Sequence, residues 1–400
     1  MMEASAPYRR IWEDQSLGRV VTSGHPFRIE RKDWRWLAAL FVATRAVIAF
    51  GIIAAYLSNT SRMETGLDDL FCNWDCDWYS GIAENGYQSL DAVSASGAAN
   101  WVFFPLFPIL IHLLSAITGL RPSYSGLLIA QASWGLGLYL MYLAARDLKG
   151  PEFARHAATI YAVWPFAIHG SMPMTEALFV PLTIAIFLFA RRTNWLIVAM
   201  LVPLLSATRT VGVMIELPLF MLASEQFGVW RVLTLRPGTE RAVLALAAAG
   251  LGIGLFMVYL YGLTGDALAF SHNQAAWKRH LEAPWMMILD ELNPAIISPA
   301  WLLANSLDIA TCAVAIVLLV FLWRRGLWAE VAYALVVVTI ACCTGNASSL
   351  PRYAGGLYPV MLAFALWSQG PLHRVPTYAA LTAGMAALSV AWGLEQFYVM

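Results

Sequence analysis

Apolar runs separated by short polar joints fill most of this chain, and they leave few folds open to it. They lie at 36–57, 101–120, 124–145, 154–170, 175–190, 194–208, 211–224, 242–263, 298–323, 327–345, 353–370 and 376–397. The first, opening at Trp36, is long enough at 1.5 Å per residue to cross roughly 30 Å of hydrocarbon. Of the 400 residues, 60% are hydrophobic and 12% charged, against roughly 45–50% and 25% in an ordinary soluble chain. A soluble fold has too little interior to hide that surface, so the runs predict an all-α polytopic membrane protein. Several are short or broken by proline, so hydropathy alone does not say which of them cross.

Basic residues orient the runs, because short loops rich in Lys and Arg stay on the cytoplasmic side. Residues 1–35 carry Arg9, Arg10, Arg19, Arg28, Arg31, Lys32 and Arg35 with no apolar core between them. This reads as a cytoplasmic basic arm rather than a cleavable signal peptide, with the first run as signal anchor. Further basic loops hold Arg146/Lys149/Arg155, Arg191/Arg192, Arg231/Arg236/Arg241, Arg324/Arg325 and Arg374. The segment 58–100 has only Arg62 among its basic residues and must lie outside. An odd number of crossings therefore separates it from Arg146. We expect 101–120 to be an interfacial helix, since Pro105 and Pro108 break its start and its aromatic residues suit that position. The result is one membrane domain, 36–400, of about eleven spans, with the N-terminus inside and the C-terminus outside. Its external loops are 58–123 and 264–297. Of 25 basic residues, only Arg62, Arg209, Lys278, Arg279 and Arg352 then fall outside.

Formal net charge is zero, so total charge points to no nucleic-acid partner. Cys312, Cys342 and Cys343 sit in apolar runs as small core residues, and no zinc-type cysteine pattern occurs. Cys72 and Cys76 are four apart in a predicted external loop, a spacing that leaves a disulfide open. Arg45 and Asp308 lie deep in runs, are costly in hydrocarbon, and are expected to face the bundle interior in structural roles.

The polar clusters hardest to explain as packing gather on the outer side. In the densest, Asp75 and Asp77 are flanked by Trp74, Trp78 and Tyr79. Carboxylates beside aromatic rings at a membrane surface suit sugar binding and proton abstraction; the alternative is an aromatic belt with two solvated acids. The string Trp74-Asp75-x-x-Trp78-Tyr79-x-x-Ile82-Ala83-x-x-Gly86-Tyr87, followed by Phe103-Phe104-Pro105-Leu106-Phe107-Pro108, resembles the PIG-V-like mannosyltransferases of the GT-C superfamily. Thr175-Glu176-x-Leu178-Phe179, Thr208-Arg209-x-x-Gly212, Asp266-x-x-Ala269-Phe270, Gln274-x-x-Trp277 and Arg352-Tyr353 continue the likeness in order.

The resemblance implies a GT-C-like helix bundle with a helical first external loop. It also implies an enzyme that takes a sugar, typically mannose, from a polyprenyl-phosphate carrier and attaches it to an acceptor on the outer or lumenal face. By motif position the catalytic base is Asp75. Asp77 stands where the family more often has a small residue and enters only as a helper.

Such a donor already carries its leaving group, so the protein needs a base and cations for the phosphate, and no metal or cofactor is expected. The candidate cations are Arg209, Arg352, Lys278, Arg279 and His272; Arg suits bidentate phosphate contact, with snorkelling to lipid headgroups the alternative. Trp74, Trp78, Tyr79, Gln274 and Tyr353 are further candidate substrate contacts. Glu176 is another, with helix capping as its competing role.

The expected partners are membrane lipids, the donor, and a lipid, glycan or protein acceptor; a small membrane subunit is left open. A bacterial plasma membrane is the expected location, with the endoplasmic reticulum as alternative. The rival readings are a transporter or flippase for polyprenyl-linked sugars, a GT-C enzyme using another sugar, and a non-catalytic subunit that keeps the fold.

Overall fold

A computed structural model describes residues 29–58, 70–93, 97–291, 299–345 and 350–396. The arm up to residue 28 and Arg62 lie outside them, as does the side chain of Asp308. The principal helices are α1 (Arg31–Ser58), α2 (Asp75–Asn85), α3 (Leu106–Thr118), α4 (Pro122–Lys149), α5 (Pro151–Ala162), α6 (Glu176–Arg191), α7 (Trp195–Ser206) and α8 (Glu216–Phe227). After them come α9 (Glu240–Thr264), α10 (Pro299–Arg324), α11 (Trp328–Cys342), α12 (Leu350–Gly355), α13 (Tyr358–Trp367) and α14 (Pro371–Gly393). Among the described residues there is no strand. The chain is an all-α membrane protein in which α1, α4, α9 and α14 are long and apolar enough to cross a bilayer. Other apolar helices, α3, α7, α11 and α13 among them, are 10–17 residues long, so the expected count of eleven spans stays an expectation.

Local sequence sets the breaks. Gly119, with φ 72°, caps α3 in the left-handed conformation, and Pro122 opens α4 at a position where no intrahelical N–H is needed. Pro151 restarts the chain directly after Gly150. The core lies between α4, α5 and α6, where Trp134 stacks on Tyr161 with ring centroids 4.5 Å apart. Helices α1 and α14 approach closely because Gly51 and Gly393 face each other's helices: a Cβ on Gly393 would lie 2.7 Å from the Ile52 carbonyl oxygen.

Charged side chains are sorted to the two ends of this bundle. At one end Arg155 donates twice to Asp33, at 2.6 and 2.8 Å, and Tyr142 donates to the same carboxylate. Arg191 donates to both oxygens of Glu330, at 2.8 and 2.6 Å, and Arg192 pairs with Asp147 at 2.6 Å. The opposite end carries the site. Helix α6 spans the distance, with Arg191 closing it at one end and Glu176 opening it at the other, about 22 Å away at 1.5 Å per residue. Arg45 lies along the way and reaches the hydroxyl of Ser171.

Candidate functional site

The segment 71–78 presents Asp75 through three local features. A disulfide joins Cys72 to Cys76, with Cα atoms 5.2 Å apart, which answers the question the spacing left open. Asn73 between them donates its side-chain N–H to the carbonyl of Trp392 at the end of α14, 3.3 Å away, tying the loop to the bundle. Trp74 then takes φ 61°, a conformation costly for a residue with a Cβ, and turns the chain sharply into α2. Asp75 is the first residue of that helix, where a carboxylate complements the unpaired backbone N–H groups.

Asp75 lines a cavity of about 150 Å³. Arg209, Arg279 and Arg352, with the neutral Thr175 and Tyr353, make up its charged and polar wall, and Tyr79, Phe103 and Trp277, joined by ring contacts, its aromatic wall. Six separate parts of the chain supply these groups: α2, the 102–104 turn, the residue before α6, the segment after α7, the 274–279 loop and α12. The 102–104 turn is fixed by Tyr87, whose hydroxyl donates to the Phe103 carbonyl at 2.7 Å, and by Leu106, whose N–H donates to Ala207. Asn273 secures the second loop. It accepts from Ala99 at 2.9 Å and donates to Gly97 at 2.8 Å, so Gln274, Trp277 and Arg279 are held over the cavity.

Arg352 is the hub of the charged wall. Its Nη2 donates to Asp75 Oδ2 at 2.5 Å, while its Nε donates to Glu176 Oε1. Arg209 donates through Nη1 to that same Glu176 oxygen and lies over the ring of Tyr353, 4.4 Å from its centroid. The Arg352 side chain is 8% exposed and that of Asp75 17%, so this pair is poorly screened by water and held far more strongly than a surface pair. Burial and the nearby Asp75 carboxylate push the Tyr79 phenol well above its ordinary value. Tyr79 therefore stays a neutral hydroxyl, donating to Thr175 Oγ1 at 3.4 Å.

Of the residues singled out from sequence, Asp75, Tyr79, Arg209, Gln274, Arg279, Arg352 and Tyr353 meet at the cavity. Asp77 does not line it and is exposed, because two residues along a helix turn a side chain by about 200°. His272 also does not line it; it pairs with Asp266 at 2.7 Å, and its hydrogen bond is the main cause of an Asp266 carboxyl held below its ordinary range. Lys278 takes φ 56° at the end of a short 3₁₀ turn and is exposed. Trp74 packs against the bundle core. Trp78 stacks on Phe103 at 5.4 Å and meets Trp277 edge-on at 5.3 Å, one layer behind the wall. Glu176 is buried behind the two arginines it holds.

Sequence reasoning left Thr175, Thr208, Thr210, Phe103 and Trp277 without roles, although all five line the cavity. Each of them except Thr210 lay inside a quoted motif, which was the available signal.

No protein-family profile matches the chain, and no curated protein matches it. Among solved structures it is similar to the oligosaccharyltransferase of Archaeoglobus fulgidus in the apo form, at 12% identity and a TM-score of 0.46, over 91% of this chain and 55% of that one. A complex of the archaeal oligosaccharyltransferase AglB with an inhibitory peptide and a dolichol-phosphate gives 12% identity and a TM-score of 0.45, over 92% and 56%. The complex of the Archaeoglobus fulgidus enzyme with Zn and sulfate gives 13% and 0.46, over 89% and 53%. The chain thus spans about half the length of these proteins, and at this level of likeness neither their activity nor their substrates pass to it.

Proposed function

We propose that the chain is a membrane glycosyltransferase of GT-C type that moves a hexose, mannose first among them, from a polyprenyl-phosphate sugar to a lipid, glycan or protein acceptor. Asp75 is its general base, and the reaction takes place on the non-cytoplasmic face, with a bacterial plasma membrane as its setting. One observation carries the reading: an aspartate and three arginines, Arg209, Arg279 and Arg352, converge on one small cavity whose other wall is aromatic.

The chemistry follows from what a phosphate-linked sugar requires. Asp75 takes the proton of the acceptor hydroxyl as that oxygen attacks the anomeric carbon. The bond from that carbon to the phosphate oxygen breaks, and the polyprenyl phosphate leaves with the bonding pair. Arginine side chains receive its charge, Arg209 and Arg352 being fixed beforehand by Glu176, so little reorganisation is needed when the charge develops. Direct displacement inverts the anomeric centre. The aromatic wall offers Tyr79, Phe103 and Trp277 to the apolar face of a sugar ring.

The test is product formation by purified protein in detergent, supplied with radiolabelled polyprenyl-phosphate-mannose, polyprenyl-phosphate-glucose and a membrane-lipid extract as acceptor. A new glycosidic product is the expected result. Detergent abolishes the two compartments on which transport depends, so a flippase would yield none.

A further inference from the structure

Glu176 is buried and does not line the cavity, yet two of the cavity's arginines, Arg209 and Arg352, converge on it. Its Oε1 accepts from Arg209 and Arg352, and its Oε2 is buried with no partner among the described residues. We infer that Glu176 is a positioning residue that sets the strength of the base through Arg352. Arg352 is shared between two carboxylates, Nε on Glu176 and Nη2 on Asp75. Whatever Glu176 withholds from Arg352 is left to Asp75, and a base held in a full ion pair is a poor one. Glu176 thus keeps the phosphate-binding cations assembled against their mutual repulsion while moderating their hold on the base.

This rests on the glycosyltransferase reading and adds a direction to it. The charged and titratable groups around Asp75 are Tyr79 on its own helix, Arg209 after α7, Arg279 in the second loop, Arg352 and Tyr353 on α12, and Glu176, with His169 near it, at the start of α6. Removing the negative charge of Glu176 leaves the arginines unopposed. The potential at Asp75 then rises, the base weakens, and the donor phosphate is attracted no less than before.

The experiment is the pH dependence of kcat, with donor KM, for the wild type, E176Q, E176D and R209M. In E176Q the acid limb of kcat moves to lower pH by about one unit, for two charges separated by one guanidinium. Its kcat at the plateau falls about 3- to 10-fold, because a weaker base transfers the proton less well, and donor KM does not rise. E176D keeps the charge and leaves the acid limb in place. R209M removes one cation and moves the limb to higher pH while raising donor KM; it also serves if E176Q does not accumulate as folded protein. A group with a purely structural role would reduce the active fraction and leave the limb unmoved. An unmoved limb in E176Q, a limb that shifts equally in E176D, or an R209M limb that stays or moves to lower pH overturns the inference. A wild type inactive with every polyprenyl-phosphate hexose overturns the glycosyltransferase reading instead.

Discussion

Replacing Asp75 with Asn separates catalysis from binding and from folding. The amide keeps an oxygen for the Arg352 Nη2 donor that now bonds Asp75 Oδ2 at 2.5 Å, so the local packing is preserved. What disappears is the carboxylate proposed as base and one negative charge. General-base catalysis is worth about 10²–10⁴ in rate, so kcat should fall by at least about 100-fold. The lost charge also competed with the donor phosphate for Arg352. Two unit charges about 6 Å apart at an effective dielectric of about 20 interact by about 3 kcal/mol. With the Asp75 side chain 17% exposed, screening lowers that to about 1–2 kcal/mol. Polyprenyl phosphate should therefore bind D75N about 5- to 30-fold more tightly than it binds the wild type, since 1.36 kcal/mol is tenfold. Calorimetric titration with polyprenyl phosphate in detergent, beside the radiolabel assay, reads both effects. Turnover within tenfold of the wild type would remove Asp75 from its role. Weaker polyprenyl-phosphate binding would show that Arg352 is not shared between base and phosphate.

Other outcomes follow from the same geometry. The double variant C72S/C76S opens the short ring at the start of α2 and loses about 2 kcal/mol of chain-entropy stabilisation. Because that ring aims Asp75, reductant should lower kcat more than donor affinity in the wild type and leave the double variant unchanged. G393A places a Cβ 2.7 Å from the Ile52 carbonyl oxygen and should cost about 1–3 kcal/mol by forcing α14 away from α1; an unchanged thermal midpoint would refute that packing. The Asp266 carboxyl is depressed by its hydrogen bond from His272 and by the Leu268 N–H. Its contribution is fully present above the ordinary carboxylate range and is lost as pH falls through the lower folded value. Amide protection in 266–272, expressed relative to the intrinsic exchange rate at each pH, should therefore fall on acidification below about pH 4, and D266N should remove that fall.

Much of this protein was legible along the chain. Hydropathy marked it as a helical membrane protein, because apolar area in a stretch of residues is a property of that stretch. The 71–78 cluster drew attention to Asp75 and Asp77 alike for the same reason, since its residue types lie side by side, and the motif resemblance chose Asp75 between them. Position within a helix is harder to read, and Asp77, only two residues on, is directed away from the cavity by the turn of α2.

The tertiary structure alone decided which charges meet. Arg352 reaches Asp75 across 277 positions and Glu176 across 176; no local pattern encodes such pairings, because they depend on how α2, α6 and α12 come together at one end of the bundle. Sequence therefore specified the solvent the chain lives in and the residue types gathered in the 71–78 motif. Packing specified that Glu176 stands behind the arginines rather than in the cavity, since the partner of a buried charge is fixed by its neighbours in space and by the cost of leaving it unpaired.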